Sequence, residues 1–188
     1  MTNRAVFLDK DRTLVENSPH SMDIGCIRFA GSAFGCLQRL ARGNYQFIIV
    51  TNQDGIAHGV FKEEDVMGVR RYIEKNFQDN ALHLLDFYYC PHHPQGRIAE
   101  YAKECRCRKP LPGLIWQAQE EHDIDLDHSW VIGDILDDIE CGKQAGCRAV
   151  LINNGKETEW RLTPSRVPDV TVKNLEEAAG AILGYPDE

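Results

Sequence analysis

No stretch of this chain is apolar for anything near the ~20 residues needed to cross a bilayer, so a helical membrane protein is excluded. Internal repeats and low-complexity segments are missing too, which removes solenoids and disordered linkers. Positive charge is the scarce sign. The 21 Lys and Arg stand against 29 Asp and Glu, and the formal net charge of −8 argues against nucleic acid or an anionic membrane as a general partner. Met1-Thr2-Asn3-Arg4 leads directly into an apolar run, with no room for a secretory leader, so a cytoplasmic protein is expected. The 188 residues, 43% hydrophobic and 27% charged, suffice for one core, so a single domain over 1–188 and a monomer are expected.

Ala5-Val6-Phe7-Leu8 reads as a short buried strand that ends at Asp9-Lys10-Asp11-Arg12-Thr13. Carboxylates two residues apart at a strand end can divide two tasks, attack on phosphorus and proton delivery to the leaving oxygen. Three more features follow in order. Phe47-Ile48-Ile49-Val50 ends in Thr51-Asn52-Gln53-Asp54-Gly55, whose hydroxyl and amides suit phosphate oxygens. Arg108-Lys109-Pro110 supplies a cation to offset charge on a nucleophile and a transferring phosphoryl group. Trp130-Val131-Ile132-Gly133-Asp134-Ile135-Leu136-Asp137-Asp138 adds strand-end carboxylates suited to the hard cation Mg²⁺.

In this order the four features resemble the motifs of the haloacid dehalogenase superfamily of phosphohydrolases, across nearly the whole length. The resemblance implies Asp9 as a nucleophile that forms an aspartyl-phosphate, and Asp11 as general acid/base. It implies Thr51 and Lys109 as phosphate contacts, and Asp134 as a Mg²⁺ ligand beside Asp9, with Asp11 binding the metal through its backbone carbonyl. Asp138 would orient Lys109 or a metal-bound water, and Asp137 would face solvent. One position departs from the family: its glycine after the second aspartate is Arg12 here. The residue then either sits in an ordinary turn with its side chain outward, or strains the loop by roughly 1–3 kcal/mol and weakens the enzyme towards a phosphate-binding protein.

A second signature is Cys90-Pro91-His92-His93-Pro94, followed by Cys105-Arg106-Cys107. Thiolates and imidazole in one loop, about 90–107, suit tetrahedral Zn²⁺. Cys90, His92, Cys105 and Cys107 are the expected ligands, with His93 as the alternative to His92. Four protein ligands imply a structural clip. Cys26, Cys36, Cys141 and Cys147 are expected to fill the core as reduced thiols. Residues 97–109 carry Arg97, Lys103, Arg106, Arg108 and Lys109 against Glu100 and Glu104, so a phosphate site beside this loop is reasonable despite the net charge.

The loop narrows the resemblance to the D-glycero-D-manno-heptose 1,7-bisphosphate phosphatases. The sister histidinol-phosphate phosphatases have a shorter loop; here residues 93–104, twelve in all, separate His92 from Cys105. Thr51-Asn52-Gln53-Asp54-Gly55 resembles that group's Thr-Asn-Gln-Ser-Gly, and Arg108 matches a substrate contact. The resemblance implies a phosphorylated sugar as substrate, with Asn52, Gln53 and Asp54 beside its phosphate. Asn17 to His20 are further contacts by position only.

Strands are expected at 4–8, 45–50, 85–89, 129–133 and 148–152, with helices near 32–42, 62–78, 111–122, 137–145 and 174–184. That alternation predicts a Rossmann-like α/β fold, a parallel sheet covered on both faces, with Asp9, Thr51 and Asp134 at its carboxyl edge. The spacing between motifs leaves no room for a large cap.

Overall fold

The computed structural model describes residues 3–16, 22–155, 157 and 160–186. The expected contacts at Asn17 to His20 lie outside them. Six parallel strands form one sheet in the order β3-β2-β1-β4-β5-β6. In chain order the elements are β1 (Ala5–Leu8), α1 (Ala33–Arg42), β2 (Gln46–Asn52), α2 (Glu63–Asp79), β3 (Leu84–Cys90) and α3 (Gly113–His122). They continue with β4 (Trp130–Gly133), α4 (Leu136–Ala145), β5 (Arg148–Ile152), a 3₁₀ turn at Pro164–Arg166, β6 (Val170–Val172) and α5 (Leu175–Gly184). The five expected strands and five expected helices are all present. β6 was not expected, because three residues carry too little pattern to be read as a strand.

Why these segments become buried strands follows from their side chains. β1 is apolar at every position, and its alternation sends Val6 and Leu8 to one face of the sheet and Ala5 and Phe7 to the other. On the first face they meet Leu37 and Leu40 of α1, Val69, Ile73 and Phe77 of α2, and Ala178 and Ile182 of α5. The second face packs against Leu114, Ile115 and Ala118 of α3 and Cys141 of α4. Spacings of three and four residues put Ala33, Cys36, Leu37 and Leu40 on one stripe of α1. Asn174 starts α5 by accepting from the Glu177 N–H at 2.9 Å, and Gly146, at φ 99°, ends α4 in the left-handed conformation that glycine adopts without strain. Each fully buried large apolar side chain contributes about 1.5–3 kcal/mol before chain entropy is counted. Cys36, Cys141 and Cys147 are buried as expected, but Cys26 is exposed, and its thiol donates to Asp23 Oδ2 at 3.2 Å. Its neighbours Gly25 and Ile24 lie in a surface turn, so the apolar character around it does not reach the core.

The two intervals long enough for an inserted domain are occupied by ordinary elements. Between β1 and β2 lies α1 with its loop; between β2 and Lys109 lie α2, β3 and the Cys/His loop. Among the described residues, neither interval holds an inserted cap domain over the carboxyl edge. Chain order reverses direction in the sheet between β1 and β4, which makes their C-terminal ends the two sides of a crevice.

Candidate active site

β1 and β4 pair through Leu8 and Ile132, and the ladder runs one step further as the Asp9 N–H donates to Ile132 O at 2.9 Å. Asp9 and Asp134 are thereby fixed on opposite sides of the crevice. Asp138 joins them from the first turn of α4, where its Oδ2 accepts from the Ile135 N–H at 3.3 Å. Its approach depends on Gly133: a Cβ there would sit 2.2 Å from Asp138 Cβ. Asp9, Asp134 and Asp138 form a buried three-carboxylate cluster, with one oxygen of each within 4.8 Å of the others.

Lys109 answers part of this charge. Its Nζ lies 2.6 Å from Asp9 Oδ1, 2.6 Å from Asp138 Oδ1 and 2.9 Å from Val50 O. Burial works against the ammonium, but attraction to Asp138 and Asp9 outweighs it and holds the pKa above the ordinary lysine range. Burial raises Asp138 to about 6, against the pull of Lys109. Burial, with the like charges of Asp9 and Asp138, raises Asp134 to about 7.

Asp11 faces elsewhere. Its Oδ1 lies 2.6 Å from Lys10 Nζ, and its Oδ2 accepts from Gln53 Nε2 at 3.0 Å. Burial raises its pKa, against the opposing charge of Lys10. The same Gln53 amide nitrogen donates to Thr51 Oγ1 at 2.9 Å, so one buried side chain orients both groups. Asn52 grips the Lys109 peptide from both sides, Nδ2 donating to Lys109 O at 3.1 Å and Oδ1 accepting from Lys109 N at 3.0 Å. Asp54 Oδ2 lies 2.9 Å from Arg108 Nη2, and Arg108 Nη1 donates to His92 O at 3.2 Å. The structure thus brings the expected residues together, although Asn52 and Gln53 spend their amides on other members of the site.

One expectation is corrected, and of the two alternatives for Arg12 the ordinary turn is excluded. Asp137 does not simply face solvent: it is partly buried, and its Oδ1 pairs with Arg166 Nη2 from the 3₁₀ turn, an element whose position the sequence does not reveal. Arg12 does not point outward from an ordinary turn. Its φ is 63°, in the left-handed region, and its Nε lies 3.0 Å from Asp134 Oδ2. Such a backbone costs a non-glycine residue about 1–3 kcal/mol. Sequence reading also missed Lys10, a lysine only 1% exposed; between two aspartates it reads as a solvated charge.

The Cys/His loop closes on itself beside Lys109. Cys107 Sγ is 3.2 Å from Cys90 Sγ and 3.2 Å from Cys105 Sγ, the last two are 3.5 Å apart, and His92 Nδ1 is 3.3 Å from Cys107 Sγ. Thiolates around a tetrahedral ion with ~2.3 Å bonds stand about 3.8 Å apart, so the four atoms are somewhat closer than that geometry but near enough to share one ion. His92 belongs to this group; His93 instead accepts from the Gln95 N–H at 3.1 Å and sits tilted against His58, with ring centroids 4.7 Å apart. No disulfide links the cysteines. A broad groove of about 770 Å³ is lined by Ile56, Phe61, Ile98 and Tyr101 with Glu63 and Asp65, but Asp9, Asp11, Asp134 and Asp138 do not border it.

A family model described as HAD-hydrolase-like matches residues 106–178. The D-glycero-beta-D-manno-heptose-1,7-bisphosphate 7-phosphatase of Yersinia pestis is 35% identical over 153 residues, covering 81% of each chain. The protein of the same name from Photorhabdus laumondii is 33% identical over 181 residues, covering 96% of this chain and 95% of its own. Among solved structures, the D,D-heptose 1,7-bisphosphate phosphatase of B. bronchiseptica, complexed with magnesium and phosphate, superposes with a TM-score of 0.81. It is 23% identical, over 96% of this chain and 98% of its own, and bears on the fold alone. With sequence identity running through nearly its whole length, and with the motif residues gathered at one sheet edge, the chain belongs to the haloacid dehalogenase superfamily, as a phosphatase in the group of the heptose-1,7-bisphosphate 7-phosphatases.

Proposed function

We propose that this phosphatase removes the 7-phosphate of D-glycero-D-manno-heptose 1,7-bisphosphate through an aspartyl-phosphate. The observation that carries the chemistry is the division of labour between two neighbouring carboxylates: Asp9 lies in the crevice against Lys109, while Asp11 is held apart by Lys10 and Gln53. The relatives' names supply the sugar.

Asp9 attacks phosphorus as the bond to the sugar oxygen breaks, and the departing oxygen takes the proton of the Asp11 carboxyl. Asp11, now a carboxylate, accepts a proton from water as that water attacks the aspartyl-phosphate. Inorganic phosphate leaves and Asp9 is regenerated. Lys109 balances Asp9 throughout, and the Thr51 hydroxyl, accepting from Gln53, keeps its own proton for a phosphoryl oxygen. Asn52 keeps Lys109 in place by holding its backbone, and Arg108, next to Lys109 and braced by Asp54, would serve as the cation for a second phosphate.

The all-oxygen donor set of the carboxylate cluster fits Mg²⁺, and Asp134 Oδ2 is a buried acceptor with no hydrogen-bond partner. Asp9, Asp134 and the Asp11 carbonyl would hold the ion, with Asp138 kept on Lys109. When bound, Mg²⁺ supplies neutralising charge and a fixed orientation for the phosphoryl oxygens. The Cys90, His92, Cys105 and Cys107 set fits Zn²⁺ as a structural ion. A cytoplasmic monomer folded as one domain over residues 1–188 completes the reading; no helix among the described residues is long and apolar enough to cross a membrane.

The test is phosphate release from a panel of sugar phosphates, including both anomers of the bisphosphate and histidinol phosphate. Fastest turnover is expected on the bisphosphate. Faster turnover of histidinol phosphate would overturn the substrate assignment and leave the chemistry standing.

A further inference from the structure

We propose that Arg12 is a tethered counter-cation for the metal position, so that a divalent ion binds Asp134 only by displacing the guanidinium. The inference rests on the reading of Asp134 as a metal ligand. Three buried carboxylates meet in the crevice, and the chain's own cations are divided unequally among them. Lys109 contacts Asp9 and Asp138, each at 2.6 Å, while Lys10 is committed to Asp11 at 2.6 Å. The cation facing Asp134 is Arg12, with Nε 3.0 Å from Oδ2.

That contact is not a built salt bridge. A guanidinium that holds a carboxylate firmly does so with two parallel N–H donors. Here Arg12 approaches through Nε, and neither Nε nor Asp134 Oδ2 makes an aligned hydrogen bond although both atoms are buried. The backbone is fixed where the side chain is not. The Arg12 carbonyl accepts from Asn154 Nδ2 at 3.0 Å and φ stands at 63°, whereas the side chain is 25% exposed. The charge rests on the oxygen that a metal ligand would offer, on a partly exposed side chain. A unit positive charge in contact with a ligand oxygen opposes a second cation there by direct Coulomb repulsion.

The experiment is calorimetric titration of Mn²⁺, as a probe for Mg²⁺, into the full chain with its cysteine loop metal-loaded and no substrate present. Arg12→Gln is the deciding variant, because it keeps the left-handed backbone cost and removes only the charge. A roughly two- to fivefold lower Kd for Mn²⁺ is expected, the scale of losing one charge contact. Arg12→Gly should match or exceed it. An unchanged or weaker Kd in Arg12→Gln overturns the proposal, including when Arg12→Gly alone binds more tightly, since backbone relief would then explain the gain. Asp134→Asn separates this failure from one of the site reading. It should abolish Mn²⁺ binding, and a Kd equal to wild type would remove Asp134 as a ligand and the proposal with it.

Discussion

Asp9 and Asp11 are two residues apart and live in different surroundings, one against Lys109 and two further carboxylates, the other between Lys10 and Gln53. Asp9→Asn keeps the shape and removes the attacking anion, so steady-state hydrolysis should fall by several orders of magnitude with the melting temperature retained. Near-normal turnover in the purified variant would take the nucleophile role away from Asp9. Gln53→Leu leaves both Asp11 Oδ2 and Thr51 Oγ1 without the amide that orients them. Its kcat should drop by about 10²-fold, the low end of what a positioned acid/base contributes, with folding intact by circular dichroism. The buried acids also make a pH prediction for protein without Mg²⁺. Asp134 is raised from 3.8 to about 7, so the folded chain holds this proton more tightly than the unfolded chain. Its contribution favours the fold at low pH and is lost as pH climbs from about 4 to about 7. Asp134→Asn, neutral throughout, should therefore gain melting temperature over wild type as pH rises across that window. A gain that is flat or shrinks with pH would mean that Asp134 is charged and at ease in the fold.

At the level of elements, the readable parts were those whose pattern is local. Continuous apolar runs marked β1, β2 and β4, and the motif residues at their ends pointed to one sheet edge because parallel strands share a direction. What stayed hidden needed contacts distant in sequence. Asn52 bonds a peptide 57 positions away, and nothing in Thr-Asn-Gln announces that its amides serve the chain and not a ligand. Arg12 shows the same limit: the sequence marked a missing glycine, but only the left-handed backbone and the proximity of Asp134 say where the side chain goes. Gly133 was legible as part of a motif, yet its cause is steric. Gly133→Ala should push Asp138 off Lys109, lowering the melting temperature and cutting activity by at least ~10-fold, because a Cβ has no space beside Asp138. The Cys/His loop gives a prediction of its own. Cys107→Ser should lose bound zinc by elemental analysis and lose activity with it, since Cys107 lies two residues before Lys109. Cys141→Ser, away from the cluster, should keep its zinc; parallel zinc loss in both would point to general misfolding and not to a ligand.

For the whole molecule, the sheet order sets who depends on whom. β1 and β4 are central and carry Asp9 and Asp134, whereas β3 is an edge strand paired only with β2. With no cap domain among the described residues, a small aryl phosphate should reach Asp9, and its slow turnover in Mg²⁺ buffer is expected. If Arg108 serves the second phosphate, Arg108→Ala should impair the bisphosphate more than the aryl phosphate, and equal impairment would leave it without a role in specificity. The edge position of β3 has a further consequence. Its last residue, Cys90, lies in the cluster with His92, Cys105 and Cys107, so if zinc ties these four together, the strand and its loop should fray as a unit while the central ladder stays closed. Amide protons of β3 should then exchange through a partial opening, faster than those of β1 and β4, and the gap should widen once zinc is stripped. A preparation in that condition would pass every test of global folding and still contain dead molecules, so the yield of folded protein would overstate the yield of enzyme.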